Sequence, residues 1–80
     1  MFFVYILFSK SLKKYYVGST KDLQERLIRH NAGGTNFTSK GKPWTLISSF
    51  ECESRIDAVR LELKIKKREI GRYLTDNNLL

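Results

Sequence analysis

An uninterrupted apolar run near the start of the chain, residues 2–8 (Phe-Phe-Val-Tyr-Ile-Leu-Phe), constrains the fold more than any other segment. Aromatic and β-branched residues dominate the run, and both types favour a β-strand. A strand without polar alternation needs cover on both faces, so we expect the central strand of a sheet. Such a run is also typical of a signal-peptide core, but it lacks a basic segment before it and a cleavage site after it, and it is too short to span a bilayer. We therefore expect neither a signal peptide nor a membrane segment.

A second β run follows and predicts a hairpin. The polar and basic residues 9–14 suit the connecting loop, and residues 15–17 suit the returning antiparallel strand. We expect Gly18 to end this strand. Its missing side chain favours either a tight turn into a helix or the close approach of another backbone or a phosphate, and both interpretations stay open. Ser19 or Thr20 is the expected cap of the next helix.

The first predicted helix covers residues 21–31, and two leucines mark its buried side, Leu23 and Leu27. Arg26 and His30 project beside these leucines rather than opposite them. Because they are four residues apart, both are expected at the seam where the helix meets the sheet.

A long loop is predicted over residues 35–43, after the glycines that stop the first helix. Loops of this length in a small domain tend to be functional. Its hydroxyl groups and its two lysines, Lys40 and Lys42, suit a phosphate backbone, and Phe37 could stack on a base. The alternative is a surface loop in which Phe37 packs back onto the core, and the sequence favours neither.

A third strand over residues 44–50 and a second helix over residues 55–70 complete the predicted elements. Ser54 is in position to cap this helix, and Gly71 is expected to interrupt it before a further turn or two. A chain of 80 residues has room for one core, so residues 1–80 are expected to form a single domain. We predict an α+β fold, α/β sandwich-like, with a small three-stranded antiparallel sheet flanked by helices.

The chain is strongly basic, with 15 Lys and Arg against 8 Asp and Glu and a formal net charge of +7. This imbalance favours polyanions, with nucleic-acid phosphates ahead of anionic membrane surfaces. A soluble basic protein with no nucleic-acid role is the alternative. The single cysteine, Cys52, excludes an internal disulfide and a cysteine-rich zinc site, and it fits a reducing, cytoplasmic location.

One carboxylate in the second predicted helix falls in an unexpected place. Glu62 projects into the middle of an apolar arc that includes Leu61 and Ile65. A carboxylate that faces a core is costly unless it is paired or binds a metal. Glu62 could pair with Lys66, four residues further on in the favourable order, or it could bind a divalent cation. Both interpretations stay open.

The order and spacing of five features resemble the GIY-YIG nuclease family, and specifically its small stand-alone members. The Gly-Ile-Tyr motif of that family falls on Phe3-Val4-Tyr5, and its Tyr-Ile-Gly motif falls on Tyr16-Val17-Gly18. An arginine and a histidine on the first helix match Arg26 and His30, and a glutamate on a later helix matches Glu62. Phe3 in place of glycine departs from the pattern.

The resemblance implies the GIY-YIG nuclease fold and the metal-dependent cleavage of phosphodiester bonds. It implies five catalytic residues: Tyr5, Tyr16, Arg26, His30 and Glu62. Glu62 would hold one Mg²⁺ or Mn²⁺ ion, and Arg26 would neutralise charge on the phosphate. Tyr5 would orient or deprotonate the attacking water. Tyr16 and His30 would bond to water or phosphate or share the role of the base.

The partner that the resemblance implies is nucleic acid, with DNA favoured, in repair or recombination. Gly18, Lys40 and Lys42 are expected to contact its backbone. Two other classes stay open: a nucleic-acid-binding module without activity, and a protein-interaction domain whose basic faces serve only for solubility.

Overall fold

The computed structural model describes residues 1–32 and 38–79. Its elements in chain order are β1 (Phe2–Ser9), β2 (Lys14–Thr20), α1 (Leu23–Asn31), a 3₁₀ turn (Thr38–Gly41), β3 (Trp44–Cys52), α2 (Arg55–Arg68) and α3 (Ile70–Asp76). The strands form one antiparallel sheet in the order β2-β1-β3. The predicted α+β fold, with a three-stranded antiparallel sheet and flanking helices, is confirmed. Phe37 of the predicted loop lies outside the described residues.

The apolar strand β1 is central, as its sequence predicts, with β2 on one side and β3 on the other. Val4 and Ile6 point to one face of the sheet, and Tyr5 and Leu7 point to the other. All four side chains are at most 1% exposed. The absence of polar alternation in β1 therefore reflects cover on both faces.

Each face of the sheet has its own hydrophobic core. The larger core lies against α2 and α3, and its buried residues are Val4, Ile6, Val17, Cys52, Ala58, Ile65 and Leu74. The smaller core lies against α1, and its buried residues are Tyr5, Leu7 and Trp44. Leu23 and Leu27 pack against the smaller core, which confirms the predicted stripe of α1. The face under α1 thus combines an apolar helix contact with a buried phenol.

The junction between β2 and α1 differs from the prediction. Gly18 does not end the strand, because β2 continues to Thr20, and α1 begins at residue 23 rather than 21. The cap is neither Ser19 nor Thr20 but Asp22, whose carboxylate accepts from the N–H of Glu25 at 3.0 Å. Thr20 is still paired with β1. Its hydroxyl accepts a hydrogen bond from the N–H of Asp22 at 3.1 Å, so it stabilises the connection between β2 and α1 rather than capping the helix.

The third strand is longer than predicted, since it runs past Phe50 to Cys52. The added residues pair with the start of β1, where Cys52 lies opposite Phe2. The thiol of Cys52 is buried and free. Among residues 1–32 and 38–79, no helix has the length and apolar character needed to cross a membrane.

The second helix begins as predicted but ends earlier. Ser54 caps α2 by accepting from the N–H of Asp57 at 3.1 Å. Glu69, with φ 75° and ψ 131°, then separates α2 from α3. The predicted break at Gly71 is wrong, because that glycine lies inside α3. The break at Glu69 turns α3 back towards the sheet, so that Leu74 is fully buried.

Replacing Glu69 with glycine should stabilise the protein. Residues other than glycine rarely adopt the φ of 75° and ψ of 131° found at Glu69. The strain of such a backbone conformation costs on the order of 1–3 kcal/mol. The greater freedom of glycine in the unfolded chain offsets about 0.4–1 kcal/mol of that. We expect Glu69→Gly to raise the free energy of unfolding by about 1 kcal/mol in urea denaturation.

The matched control for this prediction is Glu69→Ala. It keeps the backbone strain and removes the same weak contact with Arg72, at 4.0 Å between exposed side chains. Alanine should give no gain in stability. An equal gain in both variants would show that the carboxylate, and not the backbone, is the source of the effect.

Candidate active site

The central feature of the smaller core is the phenol of Tyr5, which lies across Gly18 on the neighbouring strand. The two residues are direct partners in the register of β1 and β2. A Cβ atom added to Gly18 would lie 2.5 Å from Tyr5 Oη and 2.8 Å from Tyr5 Cζ, closer than real side chains approach. The close approach found at Gly18 is therefore that of a tyrosine side chain. The glycine supplies space within the strand rather than a turn at its end.

The helix α1 brings His30 to this phenol. Tyr5 Oη and His30 Nε2 are 2.9 Å apart, and each residue is 1% exposed. The ring of Tyr16 completes an aromatic cluster, since its centroid is 5.0 Å from that of His30 and 6.4 Å from that of Tyr5. The three consecutive elements β1, β2 and α1 thus contribute one ring each.

Arg26 lies one helical turn before His30, on the same side of α1. Its guanidinium is close enough to Tyr5 to act on the phenol through a hydrogen bond and through its charge. Arg26 Nε is buried, and it has no hydrogen-bond partner in the described part of the chain. An unpaired buried donor is costly. The group is therefore suited to a ligand that supplies oxygen acceptors, such as a phosphate.

Burial keeps the phenol and the imidazole neutral at pH 7. It raises the pKa of Tyr5 to about 12, an effect to which Tyr16 adds and which Arg26 opposes. Burial also lowers the pKa of His30, and the charges of Arg26 and Arg29 lower it further. The direction of the bond between Tyr5 and His30 follows the His30 tautomer. His30 Nδ1 is buried, without a partner among residues 1–32 and 38–79.

Glu62 approaches this cluster from α2. Its side chain is 21% exposed, and one carboxylate oxygen lies 2.9 Å from Lys66 Nζ. The ion pair that the sequence offers as one interpretation is thus present. The charge of Glu62 also reaches Tyr5, where it contributes a small part of the raised pKa. The described residues contain no group of three or more His, Cys, Asp or Glu side chains that could hold a metal.

Asn31 has a structural task that sequence reasoning missed. Its Oδ1 accepts from the backbone N–H of Trp44 at 2.6 Å, and its Nδ2 donates to the carbonyl of Trp44 at 3.3 Å. The Trp44 ring in turn lies 6.2 Å from that of Tyr16, centroid to centroid. The amide therefore ties the end of α1, next to His30, to the start of β3. An asparagine at a helix end predicts only a stop, so the sequence carries no signal for this partner.

Lys40 and Lys42 are exposed and lie on either side of Gly41, at the end of the 3₁₀ turn. Gly41 is buried against the ring of Trp44, and a Cβ atom there would collide with that ring. The two lysines are thus held on a turn that packs on the core. Their contact with nucleic acid, like that of Gly18, stays a prediction.

Adding a methyl group at Gly18 should displace the Tyr5 phenol. We expect Gly18→Ala to lower the free energy of unfolding by about 1–3 kcal/mol, the usual effect of overpacking. The control is Gly71→Ala in α3, where the new Cβ would lie at an ordinary 3.7 Å from Tyr15 Cε2. That change should be neutral or stabilise by about 0.5–1 kcal/mol. Equal stability of the two variants in urea denaturation would contradict the close contact at Gly18.

The depressed pKa of His30 predicts that stability falls with pH below the ordinary histidine value of about 6.5. The unfolded chain takes up a proton before the native chain does, so the native state loses its advantage between the two pKa values. Above the unfolded value the whole contribution is present. NMR titration of the single histidine should give a midpoint below that of a free histidine.

Urea denaturation should give a lower free energy of unfolding near pH 5.5 than near pH 7.5, and His30→Gln should make this difference smaller. The pKa of Asp76 is lowered by its bond to Arg68, so this carboxyl does not interfere in that pH range. A midpoint at or above the ordinary histidine value would contradict the burial of His30.

Comparisons with known proteins agree with this architecture. The family model of the GIY-YIG catalytic domain matches residues 1–71. The UPF0213 protein YsiG of Lactococcus lactis is 37% identical over 99% of this chain and 79% of its own length. A UPF0213 protein of Halobacterium salinarum is 41% identical over 66% of this chain and 70% of its own length.

The solution NMR structure of a UPF0213 protein from Bacillus halodurans superposes with a TM-score of 0.60 at 28% identity, over 99% of this chain and 85% of that one. It has the same small α+β architecture. GIY-YIG nucleases generally use divalent metal ions. With the two tyrosines on one face of the sheet and the family model matched to residues 1–71 of this chain, the chain belongs to the GIY-YIG catalytic domain family, a family of endonucleases.

Proposed function

We propose that this protein is a metal-dependent endonuclease that hydrolyses phosphodiester bonds in nucleic acid, with DNA as the favoured substrate. The observation that carries the proposal is the meeting of four side chains on one face of the sheet, within reach of the charge of Glu62: Tyr5, Tyr16, Arg26 and His30. The net charge of +7 supports a polyanionic substrate.

Arg26 is the proposed contact to the phosphate that is cut. Its guanidinium carries charge at every physiological pH and offers several N–H donors in a plane. Its buried Nε has no partner among the described residues, so a phosphate oxygen would satisfy it. A donor already in place before the substrate binds needs little reorganisation as charge develops on the phosphate.

The burial of Tyr5 supports different roles for Tyr5 and Tyr16. With a pKa near 12, only about one Tyr5 in 10⁵ is ionised at pH 7, and the residue is 1% exposed. Tyr16 is only half-buried and lies beside both Tyr5 and His30. Tyr16 is therefore the proposed contact to the attacking water, while the neutral Tyr5–His30 pair packs against the Tyr16 ring and orients it.

Glu62 is the proposed ligand of one Mg²⁺ or Mn²⁺ ion. A single partly exposed carboxylate fits an ion that keeps most of its waters and takes the rest of its ligands from a phosphate. It does not fit an ion that needs several protein ligands. When bound, such an ion stabilises negative charge on the phosphate and on the leaving oxygen.

A nucleic-acid-binding module without cleavage activity is the second candidate. The pairing of Glu62 with Lys66 favours it, because this pair gives the carboxylate a purely structural partner. A place in DNA repair or recombination belongs to the endonuclease proposal and depends on the family alone. The free thiol of Cys52 fits the proposed cytoplasmic location.

Glu62→Gln and Lys66→Gln together separate the two candidates. Both substitutions remove the same ion pair, a helical i,i+4 pair worth about 0.3–0.5 kcal/mol, but only the first removes the carboxylate. With supercoiled plasmid DNA and Mg²⁺ or Mn²⁺, we expect Glu62→Gln to lower the nicking rate at least about 100-fold. Lys66→Gln should nick within a few-fold of the wild-type rate.

Titration with Mn²⁺, followed by calorimetry, gives a readout that does not depend on cleavage. Glu62→Gln should weaken Mn²⁺ binding, and Lys66→Gln should not. A wild-type protein that binds DNA but nicks it with neither ion would favour the binding module. Normal nicking by Glu62→Gln would remove Glu62 from the site.

A further inference from the structure

We propose that a basic cleft beside the active site binds a second phosphate group, the neighbour of the one held by Arg26. The cleft has a volume of about 240 Å³ and lies where the chain passes from β2 into α1, next to the first residue of α2. Its lining residues are Phe2, Ser19, Thr20, Lys21, Arg26 and Arg55. The inference rests on the proposed function for the identity of the first phosphate.

The charges of the cleft select an anion. Three of its residues are cationic, Lys21, Arg26 and Arg55, and none of the described residues that line it carries a carboxylate. None of the three has an ion pair within residues 1–32 and 38–79. The hydroxyls of Ser19 and Thr20 add groups that bond phosphate oxygens.

One of the cationic groups, that of Lys21, lies against the ring of another residue that lines the cleft. Lys21 Nζ lies 5.7 Å from the centroid of the Phe2 ring, within the range of a cation–π contact. The carboxylate closest in sequence, that of Asp22, is engaged in capping α1. The first turn of α1 thus has its own cap, so anion binding here depends on the side chains rather than on the end of the helix.

Arg26 joins the cleft to the active site. The same side chain lines the cleft and acts on the Tyr5 phenol, and its buried Nε lacks a partner among the described residues. A guanidinium has five N–H donors, enough to serve two acceptor groups on opposite sides. A ligand with two adjacent phosphates, such as a nucleic-acid strand, matches a site in which one arginine both lines the cleft and acts on the active-site phenol. Arg55 and Lys21 would then hold the strand beyond the bond that is cut.

The outer face of α2 offers a contrast. Arg60, on that helix, is exposed beside Ile56 and Val59 and lines a mostly apolar depression. It has the same charge as Arg55 and, like Arg55, it is exposed. Arg55 borders both the depression and the cleft, whereas Arg60 does not line the cleft. The two arginines therefore provide a matched pair: equal change in net charge, different position.

The test compares Arg55→Gln with Arg60→Gln in binding to a fluorescent DNA duplex, in EDTA, over a series of salt concentrations. EDTA prevents cleavage, so the measurement reports the cleft whether or not the protein cuts DNA. We expect Arg55→Gln to weaken binding about five- to tenfold and to reduce the salt slope by about 0.9. Arg60→Gln should change both much less. Thermal unfolding of both variants confirms that the fold is intact.

Equal effects of the two substitutions, or no effect of Arg55→Gln, would overturn the cleft as a phosphate site. NMR of the arginine Nε–H groups distinguishes the ligand: a DNA duplex should shift the signals of Arg26 and Arg55 together. Saturable shifts with inorganic phosphate and none with DNA would indicate a free-phosphate site and overturn the proposal. The nicking assay with Glu62→Gln reports separately on the proposed function, so either idea can fail without the other.

Discussion

The packing of the Tyr5 phenol across Gly18 is the contact on which the rest of the site depends. It requires a residue without a side chain in the middle of β2, because a single methyl group there would lie 2.5 Å from the phenolic oxygen. The phenol then ends 2.9 Å from His30 Nε2, which sets how closely α1 approaches the sheet. The same contact removes Tyr5 from water and raises its pKa to about 12. One missing Cβ therefore makes room both for the buried phenol and for its contact with His30.

The two faces of the sheet bury different kinds of side chains, and they differ in what they contribute to stability and to the candidate site. The face under α2 and α3 contains only apolar buried residues and supplies most of the core. The face under α1 buries polar groups, and their cost is reduced by pairing phenol with imidazole. Arg26 Nε is a buried donor on this face with no partner among the described residues, and a substrate oxygen would satisfy it. The stability that the apolar face supplies offsets the free-energy cost of the polar groups that are buried on the opposite face.

The strands, the class of the fold and the helix faces could be predicted because they follow from local patterns. An apolar run with no alternation predicts the central position of β1, and leucines four residues apart predict the buried side of α1. The errors lie where two local signals compete. Thr20 is a good cap in isolation, but its pairing with β1 leaves that task to Asp22. Gly71 is a typical helix breaker, yet the burial of Leu74 is achieved by an unfavourable conformation at Glu69 instead.

The sequence by itself determined which residues face the sheet and which carry charge, because periodicity and composition depend only on the order of side chains. It identified Tyr5, Tyr16, Arg26, His30 and Glu62 as a set through their resemblance to a family. Only the tertiary structure decided that Tyr5 is buried, that Asn31 holds Trp44 through both atoms of its amide, and that Glu62 has Lys66 as a partner. It also decided that Arg55 shares a cleft with Lys21 and Arg26. Apart from the Glu62–Lys66 pair within α2, these are contacts between different elements of the fold, and they are set by how the helices pack on the sheet.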